Sequence, residues 1–530
     1  MSDNINAGSL ATLADAITPS ASDQLAPELW LSIFSHIPRN NIPTLTLTCQ
    51  SFRSLAQPLL FDNLALSLTQ RIAGNCLYGF DYSIPKLFLY GSLKNHIDRL
   101  AFYASDRIAP SIRSIRVDIT LPYLDETKGV RMEEGGDALI EEFFEVLPRF
   151  TGLKSLRLSH IDFSARRLTQ LAKLTCLPVL SLTIFHSMIS AHPEQQLPLV
   201  GISDFKMDDH VLDPFTRLQT DEDLARWTTF VHPKRLRSLR LLRDYRFAEA
   251  LLPSLSREPF ENLRILHIPY GITASPYFLA AFSQFTGLKE LLISRMPPSP
   301  STDPLEIPVG FVASTLPQLE KYGGPEVFLD IFPAGHHAST LCELTLWGSL
   351  SDGSSDPDTT VSCLERLFGV GPLYPKLVEL PNVLGSLHLV VRDLTEELFL
   401  FVCRNAKSLE DLCITSFTHS EYGSKGIYGR QSLLAAATRE IPASIQTLTI
   451  QTCFGLPSVE RVVREVTLLT GHLTEQRGLK NLQTVQLSFD DYWACWNARG
   501  AGGEATTGVL RLRKRFGKQN ELEVSLFHNH

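Results

Sequence analysis

Several features are scarce in this chain, and each scarcity narrows its class. No run approaches 18 apolar residues, so no membrane-spanning helix is expected. The first twenty residues lack a basic stretch followed by an apolar one, so no secretory signal is expected either. There is no Asn-x-Ser/Thr sequon, and the 9 cysteines, spread from Cys49 to Cys495, form no disulfide spacing. Cations are in deficit: 49 Lys and Arg stand against 57 Asp and Glu, a net charge of -8. That balance argues against a general nucleic-acid or anionic-membrane binder. The expectation is a reduced, soluble, intracellular protein, cytoplasmic or nuclear or both. Apolar residues, in contrast, make up 44% of the 530, which excludes global disorder and leaves room for more than one domain.

Catalytic signatures are missing as well. The chain has no Gly-x-Ser-x-Gly elbow, no Walker phosphate loop and no His-Glu-x-x-His helix. Gly500-Ala501-Gly502-Gly503-Glu504-Ala505 matches a dinucleotide fingerprint in letters, but residues 493–499 before it do not read as a strand, so a flexible turn is expected. His336-His337 sits in a Pro-Ala-Gly loop near Asp330, without further ligands at a useful spacing. Cys403 and Cys413 are ten apart with no second pair, which does not suit zinc. Asp208-Asp209-His210 reads as a solvated acidic loop. Arg511, Arg513, Lys514, Arg515 and Lys518 alternate with Val509, Leu510 and Leu512, the pattern of a half-buried strand with a wet face; a nuclear address or a patch for an acidic partner is the alternative. Residues 521–527 would pair beside it as a terminal cap. No catalytic residue, cofactor or metal is assigned, and the chain is expected not to be an enzyme.

Residues 1–24 are small and polar without periodicity, and read as a disordered lead-in. The pattern changes at Leu25. Pro27 suits the first turn of a helix, where a missing N–H costs nothing, and Glu28 complements the helix dipole. Leu29, Ile33 and Ile37 then form one helical stripe, which Pro38 ends. Leu45, Cys49, Phe52 and Leu59 fit a second helical face, broken near Pro58. Trp30, Phe34 and Leu47 lie off these stripes. A helical unit of about 40 residues, apolar on more than one side, must bury the excess against something else: the following domain or another protein.

Leu25-Ala26-Pro27-Glu28-Leu29, then Ile33-Phe34 and Ile37, then Leu45, Thr48-Cys49 and Phe52-Arg53-Ser54-Leu55-Ala56, resemble an F-box. The usual pattern there is Leu-Pro-x-Glu-Ile, an Ile-Leu/Phe pair, and a later Val-Cys/Ser-x-x-Trp/Phe segment. The ending Ala56-Gln57-Pro58-Leu59-Leu60-Phe61 is similar to fungal members. Ala26 stands where the first Pro is usual, leaving Pro27 to serve, and Phe52 replaces the common Trp. The resemblance implies a module that docks the Skp-type adaptor of a cullin–RING ubiquitin ligase, while a second domain holds a protein substrate. Carried over position by position, Leu25, Pro27, Leu29, Ile33, Phe34, Ile37, Leu45 and Phe52 would form or support the adaptor surface. Glu28 would stabilise the first helix.

Beyond the module, Leu-x-x-Leu-x-Leu segments start at Ile112, Leu153, Leu177, Leu236, Leu263, Leu288, Leu341, Leu384, Leu409, Ile445 and Leu482, with a partial one around Leu316 and Leu319. Leu, Ile and Val are about a quarter of the chain, so their number alone decides nothing. The spacing does more. Leu236, Leu263, Leu288, Leu316 and Leu341 are 27, 25, 28 and 25 residues apart, Leu384 to Leu409 is 25, and Leu153 to Leu177 is 24. Such intervals match a leucine-rich-repeat period of about 20–29 residues. Helix-like segments lie between, at 137–147, 164–174, 276–285, 394–404 and 457–470.

The expected fold is α/β: a short N-terminal three-helix F-box followed by an irregular leucine-rich-repeat solenoid of parallel strands with helical crossovers. The expected boundaries are 1–24 disordered, 25–62 F-box, 63–110 linker and first cap, 111–490 solenoid and 491–530 C-terminal cap. Residues 185–233 would hide one weak repeat, and 296–308, 350–360 and 418–430 would be loops. A doubly wound sheet would need a Gly-rich turn after an early strand, which is not found.

In each segment the leucines point to the core and alternate positions face outward. The central outward row is then Arg157, Arg240, His267, Leu292, Thr345, His388, Cys413, Thr449 and Gln486, basic at its start and neutral polar later. Within it, Arg157, Arg240, His267, Thr345, His388, Thr449 and Gln486 are the candidates for holding a substrate polypeptide; Arg157 and Arg240 leave phosphate pairing open. No nucleic acid and no membrane is expected as partner. The rival is a leucine-rich-repeat scaffold outside any ligase. Deleting residues 1–62 separates the two, since only a receptor would lose ubiquitination of a substrate it still binds.

Overall fold

The computed structural model describes residues 25–71, 86–120, 132–176, 180–185, 187–190, 195–207, 221–241, 245–270, 277–294, 316, 318–326, 340–347, 356–368, 383–391, 394–416, 440–452, 473, 479, 481–488, 492–498, 508–514 and 521–526. Three short helices come first: α1 (Pro27–Ser35), α2 (Ile42–Leu45) and α3 (Gln50–Leu60). Pro27 and Glu28 occupy the first turn of α1, as their chemistry favours. At α3 the Cys49 thiol serves as the cap, accepting from Phe52 N at 3.4 Å. Arg53 Nε donates to Thr46 O at 3.0 Å and ties α3 to the end of α2. The break expected near Pro58 does not occur, because α3 runs through it. A proline in the last turn forfeits one N–H bond, and Phe61 N still closes the helix on Gln57 O at 3.2 Å.

Contacts divide the chain into two compact units, Met1–Phe205 and Lys206–His530. In the first unit, only Phe61 and Asp62 separate α3 from β1 (Asn63–Arg71). β1 runs parallel to β3 (Ser114–Thr120), β3 to β5 (Ser155–Ser159) and β5 to β6 (Ser181–Phe185). Asp62 O accepts from both Arg113 N and Ser114 N, so the ladder starts directly at the end of the helical module. β2 (Lys86–Tyr90) and β4 (Met132–Glu134) add an antiparallel edge. α4 (Leu93–Tyr103), α5 (Gly136–Val146) and α6 (Ala165–Ala172) are the crossovers. Ser92 and Ser164 cap α4 and α6 with their hydroxyls. α5 buries Leu139, Ile140, Phe143 and Phe144 on one side, the outcome its periodicity predicts. A further strand, β7 (Asp204–Met207), falls within the window 185–233.

The second unit contains β8 (Ser238–Leu241), β9 (Ile265–Pro269), β10 (Glu290–Ser294), β11 (Lys321–Pro325), β12 (Glu343–Trp347), β13 (Ser386–Val391), β14 (Asp411–Ser416), β15 (Thr447–Thr452) and β16 (Thr484–Ser488). Each pairs with the next in parallel. An antiparallel meander of β17 (Tyr492–Ala498), β18 (Gly508–Lys514) and β19 (Glu521–Leu526) ends the ladder. The strand at Tyr492–Ala498 corrects the expectation that none precedes Gly500. Gly500 to Ala505 themselves lie outside the described residues, in the connection between two antiparallel strands. Helices Tyr277–Phe282 and Glu396–Asn405 fall inside the segments 276–285 and near 394–404, while 457–470 lies outside the described residues. The loop expected over 350–360 is shorter than that, since a helix starts at Pro357; Asp356 Oδ2 accepts from Thr359 N at 3.3 Å. Asp-Pro is a helix-start signal as well as a turn signal.

Strand register corrects two of the expected repeat positions. Leu156 pairs with Leu182 and Leu158 with Ile184, so the segment read from Leu177 is displaced by two residues. Leu291 pairs with Tyr322, which makes Leu319, not Leu316, the counterpart of Leu288. In both cases a spare leucine offered a second alignment, and only backbone pairing distinguishes them. Residues 150–154 and 285–289 are both Phe-Thr-Gly-Leu-Lys. In each, an arginine from the preceding strand entry donates to the glycine carbonyl: Arg113 to Gly152 O at 2.9 Å, and Arg264 to Gly287 O at 2.6 Å. A Cβ at either glycine would overlap that guanidinium and a neighbouring carbonyl, which explains glycine there.

Candidate functional site

The helical module packs around Phe34, Ile42 and Ala56, with Trp30, Ile37, Leu45, Phe52, Leu55, Leu59 and Leu60 against them. Trp30 and Phe52 have ring centroids 4.7 Å apart, and Phe34 meets Phe52 edge-on at 5.2 Å. This packing sorts the eight candidate adaptor residues into two sets. Leu25, Pro27, Leu29 and Ile33 are exposed, Leu29 by 53% and Ile33 by 44%. Phe34 is 1% exposed, and Ile37, Leu45 and Phe52 line the module's own core. Leu29 and Ile33 therefore belong to an outer stripe of α1, while Trp30 and Phe34, one position further round, fill its interior. Leu47, 77% exposed, was not among the eight although it is the most exposed of the large apolar side chains described. Leu31, at 37%, was likewise not among them.

The module is joined firmly to α4 and the segment that follows it. Phe61 stacks edge-on against Phe102 and Tyr103 at 5.6 and 5.9 Å, and Arg107 donates to Gln57 Oε1 at 3.2 Å.

The outward row is a true register row within each unit. In the first, Ala65, Arg116, Arg157 and Thr183 are successive partners. In the second, Arg240, His267, Leu292, Gly323, Thr345, His388, Cys413, Thr449 and Gln486 follow one another strand by strand. Strands about 4.8 Å apart make such side chains shield one another. Arg240, His267, Thr345, His388 and Gln486 are accordingly half-buried and Thr449 is buried, whereas Arg157 stays exposed. Among the described residues, Arg240 Nε is buried with no hydrogen-bond partner.

Burial also sets the titration of this row. His267 is held below the ordinary histidine range chiefly by desolvation, against which its 2.6 Å bond to Glu290 Oε1 acts; nearby Arg240 and Lys206 lower it further. His388, 3.2 Å from Thr415 Oγ1, is lowered by desolvation. The Cys413 thiol is pushed up to about 11 by burial, which removes thiolate reactivity at neutral pH.

No group of His, Cys, Asp and Glu able to hold a metal ion is found among the described residues, and no described helix is long and apolar enough to cross a membrane. His336, His337, Asp330 and Asp208 to His210 lie outside those residues. Arg116 was missed as a row member, although the segment starting at Ile112 places it there by the same spacing that placed Arg157.

Comparison with known families assigns the module. The F-box domain family matches residues 23–63. F-box domains bind Skp1-type adaptors, so the match supports that partner and a general role as an F-box receptor of SCF-type ubiquitin ligases. No curated protein matches the chain.

Proposed function

We propose that this chain is the substrate-recognition subunit of an SCF-type cullin–RING ubiquitin ligase. Its F-box docks the Skp-type adaptor, and its parallel-strand ladder, read as a degenerate leucine-rich-repeat solenoid, holds a protein substrate. The observation that carries this reading is the outer stripe of α1: Leu29 and Ile33 are exposed although the same helix has its other side filled by Trp30 and Phe34. Apolar area of that kind gains about 25 cal/mol per Å² when a partner removes it from water. Leu25, Pro27, Leu29 and Ile33 would touch the adaptor, with Leu47 a further contact. Phe34, Ile37, Leu45 and Phe52 would set the angle at which the helices present them.

The receptor does no bond chemistry in this reading. It raises the effective concentration of substrate lysines beside a charged conjugating enzyme. A short, bonded junction suits that role: Phe61 and Arg107 tie the docking module to α4 and the segment after it, and Asp62 O accepts from the start of β3, without a long linker. The test is capture of purified Skp-type adaptor by the full-length chain. Leu29→Asp with Ile33→Asp is expected to abolish capture while the circular-dichroism spectrum and melt stay unchanged. Undiminished capture by that double variant refutes the proposal.

A further inference from the structure

We propose that Arg116 and Arg157 form a carboxylate-binding site on the strands of the first unit, one that receives an acidic side chain of an extended peptide. The inference rests on the substrate-receptor reading and names the chemistry of the substrate it would take.

Arg116 and Arg157 are cross-strand partners on β3 and β5, so their like charges lie side by side. Among the described residues, only one carboxylate serves both. Arg116 Nε bonds Asp118 Oδ2, while Arg157 Nε stands 4.0 Å from Asp118 Oδ1, beyond hydrogen-bond reach. Asp118 is the sole acidic partner of Arg157 among the described residues. The side chains of Arg116 and Arg157 are 55% and 45% exposed, against 19% for Asp118. Among the described residues the cluster thus carries one uncompensated positive charge, with the Nη donors of Arg116 and all donors of Arg157 unused. By contrast, Arg166 and Arg167 of the same unit each have their own glutamate, Glu145 and Glu141, at 2.7 Å.

Arg157 is also held in place. Its guanidinium carbon lies 4.3 Å from the centroid of the Phe185 ring, a stacking that fixes a planar fork in advance of binding. Phe185 is itself anchored, since its carbonyl accepts from His160 N at 2.8 Å. His160 adopts a left-handed φ of 57°, a conformation that costs a non-glycine residue about 1 kcal/mol. That strained residue turns the chain at the end of β5 and brings its amide to the strand carrying Phe185. Around the pair, the neighbouring outward positions Ala65, Ser67, Ser114, Ser155, Ser181 and Thr183 are small or hydroxyl-bearing.

Charge selects the occupant. A single carboxylate neutralises the excess and can meet the Arg157 fork in the bidentate manner. A phosphate near −2 would exceed it and press against Asp118. Nucleic acid fits poorly, given a chain of net charge -8.

The experiment is fluorescence anisotropy on the full-length chain, using an acetylated, labelled peptide with three consecutive glutamates between Gly-Ser ends. Glutamine, phosphoserine and lysine versions of the same peptide are the comparisons. The expected result is binding of the glutamate peptide that weakens as salt rises, with the glutamine peptide at least about tenfold weaker. Arg157→Gln and Arg116→Gln should each reduce glutamate-peptide binding about tenfold, and Arg157→Glu should shift preference to the lysine peptide. Arg157→Lys keeps the charge without the fork and should fall between. An unchanged thermal melt of Arg157→Gln assigns its loss to the site rather than to unfolding. Leu29→Asp with Ile33→Asp should bind the peptide like the wild type, so failure of the ligase reading and failure of this site are told apart. Equal binding by wild type and Arg157→Gln overturns the inference. Tighter binding of the phosphoserine peptide than of the glutamate peptide overturns the carboxylate assignment.

Discussion

Leucines in the strands recur with a period of two and leucines in the helical module with the helical period, and they meet different ends. Leu156, Leu239, Leu291, Leu344, Leu387 and Leu412 are at most 1% exposed. Leu29, Leu31 and Leu47, in the module, stay open to solvent. The difference lies in neighbours. A strand leucine has a paired strand and a crossover helix to cover it, whereas three short helices can fill only one interior, here with Phe34, Ile42 and Ala56. An apolar stripe left over after that filling is what a module completed by another protein must have.

The sharpest way to break this comparison is to interchange the two kinds of site. Phe34→Ala should cost about 3–5 kcal/mol by leaving a cavity in the module, whereas Leu29→Asp with Ile33→Asp should change stability by under ~1 kcal/mol. Urea unfolding of the full-length chain measures both. A silent Phe34→Ala, or a double aspartate variant that unfolds the module, would reverse the assignment of inside and outside. Next in size is Gly287→Ala, expected to cost roughly 1–3 kcal/mol because its methyl would overlap the Arg264 guanidinium and Glu261 O. Gly385→Ala, whose nearest neighbour is Cys342 O at 3.8 Å, should be nearly neutral in the same unfolding assay.

A smaller effect concerns pH. His267 and His388 are both held below the ordinary histidine range in the folded chain. As pH falls through about 6.5, the unfolded chain takes up the proton first. Stability present above that pH is therefore lost progressively towards the lower folded values. Melting temperature measured from pH 8 to 5 should drop, and less so in His267→Gln and His388→Gln. The slightest expected effect is one of reactivity: iodoacetamide at pH 8 should label exposed Cys49 well before Cys413, whose thiol burial holds near 11. Peptide mass mapping of the native protein gives the order.

Much of the ladder was readable in advance. The segments from Leu236, Leu263, Leu288, Leu341, Leu384 and Leu409 each lead into a strand two residues on. The row from Arg240 to Gln486 follows the pairing register, because strand alternation has a period of two and depends on no distant contact. At Leu177 and Leu316, neighbouring leucines gave two possible phases, and pairing chose the other one. β1 was not foreseen as a strand joined to the helical module, since Leu64, Leu66 and Leu68 alternate without the longer motif. The paired Phe-Thr-Gly-Leu-Lys segments were visible as letters, but their purpose needed Arg113 and Arg264 from elsewhere in the chain. In the module, the stripe of Leu29 and Ile33 and the apolar Trp30 and Phe34 beside it were legible. Which one faces inward was not.

Sequence by itself determined where this protein is apolar, with what period, and that its first helices resemble a docking module; those properties reside in the order of side chains along one backbone. Tertiary structure alone decided that Trp30 and Phe34 are covered while Leu29 and Ile33 are not. It also set Arg157 on Phe185 with Asp118 out of reach, and half-buried the histidines of the outward row. Periodicity says that a face exists, but what shields, charges or completes that face depends on residues brought to it from other parts of the chain.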